Sequence, residues 1–184
     1  FPIIAIFVFM LSFLAVIPLV VHGSYRYRMS RTSWRGIRFG YRGDKKELYK
    51  IFIKGTLLTL ITFGLYRSWF VIKIRNYVLS HIRMGNGKLQ YRGNGLEFFE
   101  LYLIGYLLTC LTFGIYFFRW QKTLFDYYIN KLSIEHGDQK IEFRSKASGK
   151  GFFYLLAGNF FMILLSLGLA TPWVIVRTIN FIFN

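Results

Sequence analysis

The stretch "TFGLYRSW" (Thr62–Trp69) closes a hydrophobic run, and fifty residues later the chain writes "TFGIYFFRW" (Thr112–Trp120). A third version, "SLGLATPW" (Ser166–Trp173), stands near the C-terminus. Each copy carries a glycine, the residue that most easily takes φ > 0 and so ends a helix. With a second helical stretch behind it, each reads as the corner of a helical hairpin. Gly64, Gly114 and Gly168 are the expected C′ residues of the first helix. Pro172 suits the first turn of the next, where an N–H would be unpaired anyway. Trp69, Trp120 and Trp173 suit an interfacial depth, ring in an acyl region and indole N–H toward water.

The corner belongs to a longer duplication. Tyr41–Tyr66 laid on Tyr91–Tyr116 without a gap gives twelve identities in twenty-six positions. They include the Tyr-Arg-Gly opening, Glu47 with Glu97, Gly55 with Gly105, and the Thr-Phe-Gly corner. Such a period implies stacked similar units. "IRMGNGKLQYR" (Ile82–Arg92) matches "IEHGDQKIEFR" (Ile134–Arg144) in chemical type, and both read as β-hairpins about a Gly-Asn or Gly-Asp turn. "GIRFGYRG" (Gly36–Gly43) is the corresponding stretch of the first copy. Each unit is thus a basic strand or hairpin, an apolar helix A and a less apolar helix B. Helix A is expected near Leu48–Phe63, Leu96–Phe113 and Phe152–Leu167, and helix B near Tyr66–Ser80, Phe117–Leu132 and Trp173–Asn184. The division is an N-terminal segment 1–21, then repeats 22–80, 81–132 and 133–184. In the second copy Trp120 comes one place late, which puts Leu124 in the slot of Lys73.

Composition sets the expected solvent. The 184 residues are 54% hydrophobic and 21% aromatic, with a mean hydropathy of +0.39. Uncharged runs at Phe1–Val21, Leu101–Phe118 and Gly151–Val176 approach the roughly 20 residues needed to cross hydrocarbon. The first run lacks a basic n-region and a cleavage site, and "YRYRMSR" follows it as a stop-transfer flank, so it reads as an anchor. The fold expected is an all-α polytopic membrane protein: repeated helical hairpins, about seven membrane segments, and short basic β-hairpins on the cytoplasmic side.

Charge supports hairpins over single crossings. Arg67–Gly95 holds six Lys/Arg and no acid, and Gly23–Glu47 holds eight against Asp44 and Glu47. Two such loops on opposite faces violate the positive-inside rule, whereas paired helices put all basic linkers on one side. A shallow re-entrant hairpin gives the same pattern. The net charge of +16 is therefore assigned to anionic lipid headgroups, not nucleic acid. The single Cys110 excludes an intrachain disulfide.

Candidate chemistry gathers on helix B. Trp69, Lys73, Asn76 and Tyr77 recur as Trp173, Arg177, Asn180 and Phe181, at spacings that share a helix face. An anion or lipid-headgroup site of Lys73, Arg75, Arg119, Lys122 and Arg177 is one reading, with snorkelling to an interface as the other. Asn76 and Asn180 are polar partners on that face, and Asp126 is an i, i+4 partner for Lys122. Glu47 and Glu97 begin helix A, where acids offset the helix dipole or serve proton coupling. His22, His81 and His136 lack zinc-ligand spacing, and no nucleophile or phosphate-loop motif is present. No metal, cofactor or enzymatic activity is expected.

"RTSWRGIRFGYRG" (Arg31–Gly43), "TFGLYRSW" and "TPW" together resemble the YjgN-like family of bacterial inner-membrane proteins, a domain family of unknown function. The likeness runs from about Pro18 to the end, with Ser68 in place of the proline of the first turn. It implies a multi-pass inner-membrane location and no catalytic residues. By gene neighbourhood it implies a membrane metallopeptidase partner. The expected function is a non-enzymatic scaffold or accessory subunit that contacts anionic lipid or a partner protein. The alternative is a small transporter or channel with a cationic cavity.

Overall fold

Three β-hairpins alternate with three helical hairpins behind an N-terminal helix. The computed structural model describes residues 2–34, 36–136 and 139–183. In chain order the elements are α1 (Pro2–Arg31), β1 (Ser33–Trp34), β2 (Ile37–Tyr41), α2 (Lys45–Ile61), α3 (Arg67–Ser80), β3 (Ile82–Met84) and β4 (Gly87–Tyr91). They continue with α4 (Gly95–Leu111), α5 (Phe117–Asn130), β5 (Leu132–His136), β6 (Gln139–Glu142), α6 (Gly149–Leu165) and α7 (Thr171–Phe183). The Gly137–Asp138 turn expected between β5 and β6 lies outside the described residues; the flanking strands pair up to His136 and Gln139.

Two compact units share these elements, and they do not follow the repeats. The first holds residues 1–100 and 131–142, the second 101–130 and 143–184. In the first unit all six strands pair antiparallel in sequence order. Since neighbours alternate in direction, β2, β4 and β6 run the same way, and the chain leaves the sheet at the same end each time. Gly85 at φ +57 supplies the positive φ that a two-residue turn between Met84 and Gly87 needs at its first central position. Pairing continues past the strands through Arg42 N to His81 O (3.0 Å) and Arg92 N to Lys131 O (2.9 Å), the same contact fifty residues apart.

The core of this unit is Tyr41, Leu48, Tyr77, Val78 and Ile82, with Val21, Tyr25 and Met29 of α1 packed on it. Leu48 and Val78 are each 1% exposed, and burying each stabilises by about 1.5–3 kcal/mol. Asp44 caps α2 in an extended conformation, its carboxylate accepting from Lys46 N at 3.0 Å. Asn94 accepts from Leu96 N (3.0 Å) ahead of α4, and Ser148 from Gly151 N (3.0 Å) ahead of α6. All three copies thus start helix A on a residue that satisfies an otherwise unpaired first-turn N–H.

The polytopic expectation is overturned. Among the described residues no helix is long and apolar enough to cross a membrane. The helices after α1 have 13 to 17 residues; seventeen reach about 25 Å against about 30 Å of hydrocarbon. The uncharged runs misled because they are bent. Leu101–Phe118 passes from α4 round a corner into α5, and Gly151–Val176 does the same from α6 into α7. The first run does not end as an anchor either. It continues as one helix into the cationic Tyr25–Arg31, and α1 buries Pro18 and His22 beneath neighbouring elements. The all-α class, the multi-pass inner-membrane location and the seven spans are therefore replaced by short helical hairpins joined to an antiparallel sheet.

Candidate functional site

The three corners share one main-chain bonding pattern. Gly64 N donates to Thr59 O (2.7 Å) and Phe63 N to Leu60 O (3.2 Å). The pairs recur as Gly114 to Thr109 (2.8 Å) with Phe113 to Cys110 (3.3 Å), and as Gly168 to Ile163 (2.9 Å) with Leu167 to Leu164 (3.3 Å). This is the Schellman bonding pattern. Thr62 Oγ1 donates to Leu58 O (2.7 Å) and accepts from Tyr66 N (3.0 Å), a clasp that Thr112 repeats. Ser166 Oγ accepts the corresponding bond from Ala170 N at 3.0 Å.

One detail departs from the expected corner. The glycines occupy C″, and C′ is held by Phe63 (φ 49), Phe113 (φ 49) and Leu167 (φ 52). A bulky residue in the left-handed region costs about 1–2 kcal/mol. Yet these residues are 99%, 98% and 94% exposed, so packing among the described residues does not offset that strain. Leu65, Ile115 and Leu169, just past each glycine, are exposed as well.

Behind the first two corners the helices close tightly. A methyl group at Gly55 would lie 1.9 Å from Cδ2 of Phe70, and one at Gly105 would lie 2.2 Å from Cδ1 of Trp120. Trp120 therefore corresponds to Phe70, not to Trp69, and the second copy has no extra residue: Thr123 takes the slot of Lys73. The three tryptophans do different things. Trp69 stacks on Phe99 (5.2 Å). Trp120 is buried with its indole N–H unbonded, against the expectation of an N–H turned to water. Trp173 is largely exposed.

The five sequence-derived cations are divided between the two units. Lys73 and Arg75, in the first unit, each have an aromatic neighbour: Lys73 Nζ donates to Tyr66 Oη at 2.7 Å, and Arg75 lies 5.9 Å from the Tyr91 ring centre. In the second unit Arg177 lies across Gly158 and donates to Met162 Sδ (3.5 Å), lining a cavity with Trp173 and Asn180. Arg119 and Lys122 come together. They line a cavity of about 780 Å³ between α5 and α6, joined by Lys150 and by Phe118, Phe153 and Tyr154. Asp126 holds Lys122 there through Oδ2, while its buried Oδ1 has no hydrogen-bond partner.

The other polar candidates have structural settings. Glu97 pairs with Lys131 at 2.6 Å, and Glu47 is exposed in the first turn of α2. Asn76 Nδ2 donates to Gly93 O at 3.3 Å. His81 Nδ1 bonds Tyr77 O at 2.7 Å. His22 is buried against the Tyr41 ring, and burial first, then the charges of Lys45 and Arg26, hold its pKa below the ordinary histidine value, with Asp44 opposing. Burial pushes the Tyr41 phenol up to about 12. Lys150 was missed by sequence reading because its groove forms between successive hairpins. The cap series Asp44, Asn94, Ser148 was legible as N-cap chemistry at equivalent positions and was also missed.

A model of the family described as bacterial protein of unknown function (DUF898) matches residues 2–94 and 118–184. The chain belongs to this YjgN-like family. No curated protein and no solved structure matches it.

Proposed function

We propose that this YjgN-like chain is a non-enzymatic scaffold that grips an anionic lipid surface, its corners entering the acyl region of one leaflet without crossing it. The observation that carries the reading is the residue at C′. Three times the chain keeps a bulky apolar side chain where glycine costs less and where none of the described residues covers it. An apolar environment offsets the strain, since burying one such side chain gains about 1.5–3 kcal/mol. The net charge of +16 adds attraction to anionic headgroups, about 1 kcal/mol for each Lys or Arg held near the surface.

The test mixes the full chain with vesicles of phosphatidylcholine, with and without phosphatidylglycerol, and follows tryptophan quenching by brominated acyl chains. The chain should partition onto both, more strongly onto the anionic vesicles. The triple variant F63S/F113S/L167S should partition about tenfold less or weaker. A chain that ignores both vesicles, or a triple variant that binds unchanged, rules the reading out.

A further inference from the structure

The cavity between α5 and α6 is unlike the corners, because it is cationic at one part of its wall and aromatic at another. Arg119, Lys122 and Lys150 line it together with Phe118, Phe153 and Tyr154. Phe118 and Phe153 meet edge to face at 5.0 Å, so the apolar wall is continuous from α5 to α6. Among the described residues no carboxylate pairs with Arg119 or Lys150. Asp126 is the one acid in the lining, and Lys122 neutralises it at i, i+4.

We infer that this cavity is a site for a single phosphate-bearing amphiphile, its phosphate held by Arg119, Lys150 and Lys122 and its first acyl carbons laid on Phe118 and Phe153. The inference rests on the lipid-surface reading and names the lipid class that reading leaves open. Three features select the ligand. Three cations against one carboxylate leave an excess of two positive charges, which suits a phosphomonoester of about −1.5 to −2 at neutral pH. The Arg119 guanidinium presents paired donors that match phosphate oxygens. Lys150 stands in the first turn of α6, where the helix dipole adds positive potential. The aromatic wall then separates an amphiphile from free phosphate. A volume of about 780 Å³ lies in the range of small-ligand clefts, about 300–1,000 Å³, enough for a headgroup and the start of its chains.

The test needs no bilayer, so its result is separable from that of the vesicle experiment. The full chain is titrated by calorimetry in phosphate-free buffer at low salt. The probes are monomeric dihexanoyl phosphatidic acid, dihexanoyl phosphatidylcholine and inorganic phosphate. Dihexanoyl phosphatidic acid should bind about tenfold or more tightly than either of the others. The R119Q/K150Q variant should lose about tenfold in that affinity, with an unchanged urea midpoint showing that it folds. Equal binding of the two lipids by the unsubstituted chain overturns the phosphomonoester site, whatever the variant does. Inorganic phosphate binding as tightly as the lipid overturns the amphiphile and leaves a soluble-phosphate site. No binding of any probe overturns both, and vesicle partition through the corners then stands or falls on its own.

Discussion

The hydroxyl of Tyr77 closes on both main-chain groups of Asp44: it accepts from Asp44 N at 2.8 Å and donates to Asp44 O at 2.8 Å. Helix α3 is thereby tied to the residue that caps α2, across thirty-three positions of sequence. The tie lies at the foot of the first hairpin, inside the core cluster that contains Tyr77.

Tyr77→Phe should therefore destabilise the chain by about 0.5–1.5 kcal/mol, because the part-buried Asp44 N loses its partner and Asp44 O keeps only Leu48 N (3.2 Å), while the ring remains. The urea midpoint reads this directly. An unchanged midpoint would mean that water replaces the hydroxyl without loss.

Glycine at C′ should do the opposite. Phe63→Gly removes a left-handed bulky residue and no packing, since Phe63 is 99% exposed. The expected change is a gain of about 1 kcal/mol in stability together with weaker vesicle partition. A variant that loses both would show that Phe63 packs within the chain after all.

Gly105→Ala tests the hairpin crossing. The added methyl meets the Trp120 indole at 2.2 Å, and the ring has little room because it is itself buried. Overpacking of this kind costs about 1–3 kcal/mol. Trp120 fluorescence, read in a chain with the other tryptophans replaced by Phe, should shift as the ring is displaced; an unmoved spectrum and midpoint would contradict the tight crossing.

Two buried rings make stability depend on pH from both sides. The folded pKa of His22 lies below 6.5, so the unfolded chain takes up a proton first. Its contribution is fully present above pH 6.5 and is lost as pH falls below that toward the lowered folded value. Tyr41 is raised from 10.0 to about 12, so its contribution is present below pH 10 and lost as pH rises toward 12. The loss is on the order of 2–3 kcal/mol. Urea midpoints across pH should show both slopes, with Tyr41→Phe reducing the alkaline one and leaving the part that Tyr77, also raised by burial, contributes. At neutral pH Tyr41→Phe should cost little, because the Tyr41 hydroxyl is buried without a hydrogen-bond partner.

Much of the fold was legible because it is local. Helices A and B were placed within a few residues of α2 to α7, since turn chemistry and apolar spacing act over one helix turn. The β-hairpin about Gly85-Asn86 was readable for the same reason. The site was less so. Arg119 and Lys122 were named, but Lys150 approaches them only because α6 packs on α5. Trp120 was matched to the wrong residue because identity of letter outweighed the unbroken spacing of fifty that the corner bonds obey.

By itself the sequence determined the threefold repeat, the helical hairpins and their corners, and the basic strands between them. Each is set by contacts within a few residues: caps, turns and i to i+4 pairs. Only the tertiary structure decided that the strands merge into one antiparallel sheet and which side chains the corners leave bare. Those outcomes depend on pairings between residues dozens of positions apart, such as Tyr77 with Asp44. Hydropathy averaged along the chain is blind to where the chain turns back.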